Sequence, residues 1–156
     1  MNTSIGIKES SRVKILALLD VLLADEYVLY TKTRNFHWNV VGPHFHDMHK
    51  FFEAQYETLD AHVDAVAERS RALGGRALGS LKEFLGAARL KESVGRTLKA
   101  EVMLAELNRD HEALIKALRA DVDETTRLED AGTADFLTGL LEEHEKMAWM
   151  LRSHLA

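Results

Sequence analysis

Apolar residues recur along the chain at intervals of three and four, the spacing that gives an α-helix one apolar face. No segment alternates with the period of two that a half-buried strand requires. The pattern predicts an all-α fold. Ile15, Leu19, Leu22, Leu23, Tyr27 and Tyr30 mark a first long helix from Ser10 or Ser11, a serine N-cap, to about Val40, where Gly42-Pro43 stops it. A second helix is predicted from Phe45 to Leu73, with Phe45, Met48, Phe52, Leu59, Val63 and Val66 on its core side and Gly74-Gly75 at its end. A third runs from near Ser93 to near Thr125 and a fourth from about Thr133 to His154, separated by "RLEDAG".

The short connections within the first and second pairs make each pair antiparallel. The segment from Gly74 to Glu92 is longer and contains "SLKEFLGA", a short helix of its own. It is long enough to return along the bundle, so the second and third long helices run parallel. The expected architecture is a four-helix bundle with a short helix in its crossover. At 156 residues it is one domain over residues 1–156, with residues 1–9 as a flexible N-terminal arm.

Composition narrows the chemistry. With 46% apolar and 29% charged residues and no biased tract, the whole chain is expected to fold. Zero cysteines exclude disulfides and thiolate ligands, so a metal site must use His, Asp and Glu. The net charge of −5 argues against nucleic-acid binding through the general surface, which needs concentrated Lys and Arg. No membrane-length apolar run or secretory leader is present, and a cytoplasmic location is expected.

One face of the second helix carries His49, Glu53, Glu57, Asp60, Asp64 and Glu68 within an arc of roughly 100°. His49 and Asp64 lie about 22 Å apart along an α-helix, too far to share one cation. The pairs 49/68, 53/64 and 57/60 nevertheless have a common midpoint between Thr58 and Leu59. A second copy packed antiparallel about a two-fold axis there would bring His49 and Glu53 to Glu68 and Asp64 of its mate, twice per dimer. His37, just before the turn, would add a second imidazole, a donor set suited to Fe(II), Mn(II) or Zn(II). The solvated face of an ordinary amphipathic helix has the same pattern, and spacing alone does not separate the two.

The stretch "KTRNFHWNVVGPHFHDMHKFFEAQYETLDAHVDAVAERSRALGG", Lys32 to Gly75, resembles the signature of the Dps family of ferritin-like mini-ferritins, and the resemblance continues to "EEHEKMAWMLRSHL". It implies a ferritin-like bundle assembled into a dodecameric cage. Such a cage acts as a ferroxidase, oxidising Fe(II), preferentially with hydrogen peroxide, and storing the ferric product. The resemblance assigns two iron ions per intersubunit site to His37, His49 and Glu53 of one subunit and Asp64 and Glu68 of its mate. Glu53 stands where members often have Asp. Trp38 is placed beside the site to intercept radicals, and Glu129, Asp130 and Asp135 at a three-fold pore that admits Fe(II). An alternative is a nucleoid-associated DNA-binding protein. The N-terminal arm offers only Lys8, Arg12 and Lys14 for that role, and direct DNA binding is the less favoured reading.

Other residues receive plainer readings. No histidine has Glu three positions before it, which disfavours the Glu-x-x-His di-iron centre within one subunit. His44 and His46 are read as helix-start residues, Glu57 and Asp60 as a hydrated interface, and Trp149 as packing. His62, His111, His144 and His154 are read as isolated, without a metal role.

Overall fold

The computed structural model describes residues 3–96 and 98–156. Among them are five helices and no strand: α1 (Glu9–Asn39), α2 (Phe45–Ala72), α3 (Leu81–Ala87), α4 (Ala100–Arg127) and α5 (Ala131–Ser153). Contacts at both ends fix the topology. α1 and α2 are antiparallel, because His37 meets His49 at one end while Arg12 donates to the Leu73 carbonyl at the other. α2 and α5 are antiparallel through Phe51 against His154 and Arg69 against Thr133. α4 and α5 are antiparallel through Glu112 with Arg152 and, two turns later on α4, Arg119 with Glu145. α2 and α4 therefore run parallel, which is the crossover arrangement expected from the long third connection.

Apolar residues are buried along the length of the bundle: Leu19, Leu22, Phe52, Leu59, Val66, Leu107, Leu114 and Leu151 are at most 1% exposed. Phe45, expected on the core stripe, is 46% exposed, because it is the first residue of α2 and stacks on His49 instead (ring centroids 5.1 Å). No helix of the described residues is long and apolar enough to cross a membrane.

Two helix starts differ from expectation. α1 begins at Glu9, with the Lys8 carbonyl accepting from Ser11 and Arg12 N–H. Ser11 is buried and caps nothing, so the serine signal does not mark the boundary. α4 begins at Ala100, seven residues after Ser93. Gly95 has φ 61, a left-handed conformation that interrupts any helix, and the Ser93 carbonyl is taken by the Asn35 side chain at 3.0 Å. Of the N-terminal arm, residues 1 and 2 lie outside the described residues. Lys8 pairs with Glu129 at 2.7 Å.

The crossover is anchored to α1. Ser80 caps α3 and exchanges hydrogen bonds with Glu83, a capping box. Phe84 is buried and stacks on Tyr27 at 4.3 Å. Asp25, 1% exposed, accepts from Arg89 N–H (2.6 Å), Leu90 N–H (3.0 Å) and Arg89 Nε (2.6 Å). Just past the end of α2, a Cβ at Gly75 would come within 2.4 Å of Leu16 Cδ2, so the leucine side chain would have to shift to admit one.

Candidate metal centre

The turn between α1 and α2 sets the site. α1 ends at Asn39, Gly42 takes φ 128, Pro43 withholds a donor, and α2 starts at Phe45. His37 in the last turn of α1 thereby faces His49 in the second turn of α2. The two imidazoles stack, with ring centroids 3.7 Å apart and planes 21° from parallel. Each Nδ1 lies within hydrogen-bond distance of the other residue's backbone carbonyl: His37 Nδ1 to His49 O at 2.8 Å, His49 Nδ1 to His37 O at 2.9 Å.

A carbonyl only accepts, so both Nδ1 atoms must carry hydrogen. In the neutral rings both Nε2 atoms then keep their lone pairs, the state a metal ligand needs. The His37 carbonyl belongs to the last turn of its helix and has no intrahelical partner, so the clamp also satisfies a helix terminus. Tyr56 packs edge-on against His37 at 5.2 Å.

Glu53 follows His49 by one turn. Lys50 bonds its carboxylate at 2.5 Å and holds the pKa below the ordinary range, helped by the neighbouring His37 and His49. Glu53 is therefore an anion beside two imidazoles. Trp38 is 66% exposed, with the Arg34 guanidinium 5.4 Å from its ring centre. His44 and His46 are exposed at the start of α2.

Asp64 and Glu68 are exposed farther along α2 and make no ion pair among the described residues. The subunit thus brings His37 and His49 together, with Glu53 one turn along α2, and leaves Asp64 and Glu68 apart from them. Glu57 and Asp60, between the two groups, are exposed as well.

The three acids near α5 differ from one another. Asp130 is 4% exposed and turned inward: it caps α5 by accepting from Thr133 N–H at 3.0 Å and pairs with Arg69 at 3.1 Å. Glu129 is exposed, holds φ 65 and pairs with Lys8. Asp135 is exposed on the first turns of α5.

The reading of His62, His111 and His144 as isolated is corrected by the structure. With Glu26 they gather inside the bundle, one from each long helix. His144 Nε2 lies 2.7 Å from Glu26 Oε1, His62 Nδ1 lies 3.9 Å from Glu26 Oε2, and His111 Nδ1 lies 2.9 Å from His144 Nδ1. Among the described residues, Glu26, His62 and His144 are the one group whose donor atoms converge within 4.8 Å. The available signal was a polar residue inside an apolar stripe on every long helix: Glu26 before Leu29, His62 between Leu59 and Val66, His111 between Leu107 and Leu114, His144 between Leu140 and Leu151. His154 packs against Phe51 and joins no such group.

Known proteins share this chain's sequence and fold. The family model for the ferritin-like domain matches residues 16–156. An uncharacterized low temperature-induced protein of Nostoc sp. is 49% identical over 97% of this chain and 86% of its own length. DNA protection during starvation protein 2 of Bacillus anthracis is 37% identical over 91% of this chain and 97% of its own. A crystal structure of a Dps protein from Vibrio cholerae O1, described as a member of a broad superfamily of ferritin-like diiron-carboxylate proteins, superposes with a TM-score of 0.94. That protein is 30% identical, with 100% of this chain and 98% of that one covered. With the helix order, the crossover and the paired histidines, these relatives place the chain in the Dps family of ferritin-like proteins.

Proposed function

We propose that the protein is an iron-oxidising and iron-storing mini-ferritin. Its ferroxidase sites are shared between subunits: His37, His49 and Glu53 come from one, Asp64 and Glu68 from its two-fold mate. The observation that carries this reading is the reciprocal His37–His49 clamp. It leaves two Nε2 lone pairs free, one turn of α2 before the Glu53 anion, in a subunit whose remaining acids, Asp64 and Glu68, make no ion pair among the described residues farther along the same helix. The description of the Vibrio cholerae relative as a diiron-carboxylate protein supports it.

Fe(II) enters as substrate. Two Fe(II) ions each give one electron to hydrogen peroxide. Its O–O bond breaks and, with two protons, it leaves as two waters, so no hydroxyl radical is released. The carboxylates stabilise the Fe(III) formed, the neutral imidazoles complete each coordination shell, and Lys50 must yield Glu53 as iron arrives. Trp38 is positioned to donate an electron to any stray oxidant. Storage requires a closed shell, a dodecamer in this reading, with exposed Glu129 and Asp135 drawing Fe(II) to a three-fold pore. Asp130 holds the start of α5 behind them.

The name of the Bacillus anthracis relative raises DNA protection as a second reading. Of the three cations near the N-terminus, Lys8 pairs with Glu129 and Arg12, inside α1, pairs with Glu9, which leaves little positive charge to bind phosphate. A gel shift at low salt separates the two, and no shift is expected.

The decisive test adds Fe(II) and then peroxide to the assembled protein and follows Fe(III) absorbance. Oxidation should be faster than in buffer and fall to the buffer rate in Asp64→Ala/Glu68→Ala. An unchanged rate in that variant rules the site out.

A further inference from the structure

The intersubunit site leaves one buried group unexplained. Glu26, His111 and His144 are fully buried and His62 is 7% exposed, all near the middle of the bundle. Glu26 has only imidazole partners among the described residues, so no Lys or Arg offsets its charge. Among the described residues, three of the cluster's polar atoms have no hydrogen-bond partner: Glu26 Oε2, His62 Nδ1 and His111 Nε2. An incompletely satisfied polar core is a costly arrangement, worse than an apolar one, unless something else satisfies it.

We propose that Glu26, His62 and His144 form a mononuclear site for a divalent transition-metal ion inside each subunit, separate from the intersubunit ferroxidase site. The dimensions fit. A tetrahedral ion with ligand bonds of about 2.0–2.2 Å places its ligand atoms about 3.3–3.6 Å apart. Glu26 Oε1 and His144 Nε2 are 2.7 Å apart, Glu26 Oε2 and His62 Nδ1 are 3.9 Å apart, and all the converging atoms lie within 4.8 Å. Small side-chain adjustments close the shell.

The proton arrangement fits as well. Without an ion, His144 Nε2–H donates to Glu26. When an ion takes Nε2, the His144 proton is carried on Nδ1, which donates to His111 Nδ1 at 2.9 Å, and His111 carries its own proton on Nε2 instead of Nδ1. His111 is thus a positioning residue that fixes the tautomer and ring plane of a ligand, as outer partners of metal-bound histidines do.

Two imidazoles and one carboxylate favour Zn(II), Fe(II) or Co(II) over Mg(II) or Ca(II), which prefer all-oxygen shells. With one carboxylate and no bridging group the site takes one ion, so it does not reproduce two-electron peroxide chemistry. Its effect is to pin α1, α2 and α5 at mid-bundle. A surface cleft on the α2–α5 seam is lined in part by Thr58, one turn before His62, and by Glu143, next to His144.

Zn(II) is the probe. Crystals of the assembled protein, stripped by chelator and soaked in Zn(II), are mapped by anomalous scattering at the zinc edge. The wild type and Asp64→Asn/Glu68→Gln should both carry a peak between Glu26, His62 and His144 in every subunit. Glu26→Gln and His62→Gln should lack that peak while retaining intersubunit zinc. In the Asp64→Asn/Glu68→Gln background, Zn(II) should raise Tm, and adding His62→Gln should abolish the rise. An empty cluster in wild-type crystals whose intersubunit sites hold zinc would overturn the proposal, whether or not the core variants fold. The converse, a filled cluster with empty intersubunit positions, would count against the ferroxidase reading and leave this one standing.

Discussion

Asp25→Ala tests whether the crossover is held by the carboxylate buried against α1. The substitution removes the acceptor of three hydrogen bonds and leaves Arg89 N–H and Leu90 N–H without a partner. Hydrogen bonds to a charged group are worth about 1.5–3 kcal/mol each. The Arg89 side chain is 44% exposed, however, so its share is largely replaced by water and must be discounted. The two backbone bonds then dominate, for a loss of about 3–4 kcal/mol. For a chain of this size that corresponds to roughly 6–15 °C in Tm. Asp25→Asn keeps an oxygen for both backbone donors and sets an amide against Arg89 Nε, which can swing into solvent. Its cost should be about a third as large. Thermal unfolding of both variants, with hydrogen exchange at Arg89 and Leu90, measures the effect. The reasoning fails if Asp25→Ala unfolds within about 3 °C of the wild type, or if Asp25→Asn is equally damaging.

Other outcomes follow from the helix ends. The Glu83 carboxyl is pushed down to about 2 by bonds from Ser80, Arg76 and the Gly79 N–H. Its folded pKa lies below the unfolded value near 4.3, so its contribution to α3 is complete above that value and is lost as pH falls toward 2. Glu83→Gln should therefore expose α3 amides to faster exchange at pH 6, and the difference from wild type should shrink between pH 5 and pH 3. Glu129 holds φ 65 after the end of α4, with its N–H bonded to Thr126 O and that of Asp130 to Thr125 O, a C-terminal motif that glycine fills most easily. Glu129→Gly should raise Tm by about 2–4 °C, since the lost pair with Lys8 is exposed and weak. A lower Tm would show that the ion pair matters more than the backbone.

Much of the fold was legible because its signals are local. The four long helices follow from apolar spacing, and their ends at Gly42-Pro43 and Gly74-Gly75 from residues that cannot continue a helix. The crossover helix was legible as the stretch "SLKEFLGA", and the structure adds its cap, Ser80 with Glu83. The start of α4 was not legible, because the left-handed turn at Gly95 and the Asn35 bond to the Ser93 carbonyl are made by the folded chain. At the site, the grouping of His37 with His49 followed from a two-element turn. The carbonyl clamp that fixes their tautomers did not, since backbone oxygens leave no trace in sequence. The bundle-core cluster was missed for a different reason. Its four residues come from four helices, and each looks alone until the bundle closes.

The central claim is that each ferroxidase site is built by two subunits, and complementation tests it most directly. Two inactive parents are prepared, His37→Gln/His49→Gln and Asp64→Asn/Glu68→Gln. They are mixed in equal amounts, unfolded and refolded together, and assayed for Fe(II) oxidation by peroxide. Random pairing makes half of the two-fold dimers mixed, and each mixed dimer has one wholly intact site and one doubly damaged site. Activity should therefore return to about a quarter of wild type, while the same parents mixed after assembly remain inactive. Activity that stays at background after co-refolding into full assemblies would contradict a shared site, as would an Asp64→Asn/Glu68→Gln parent that oxidises iron at the wild-type rate.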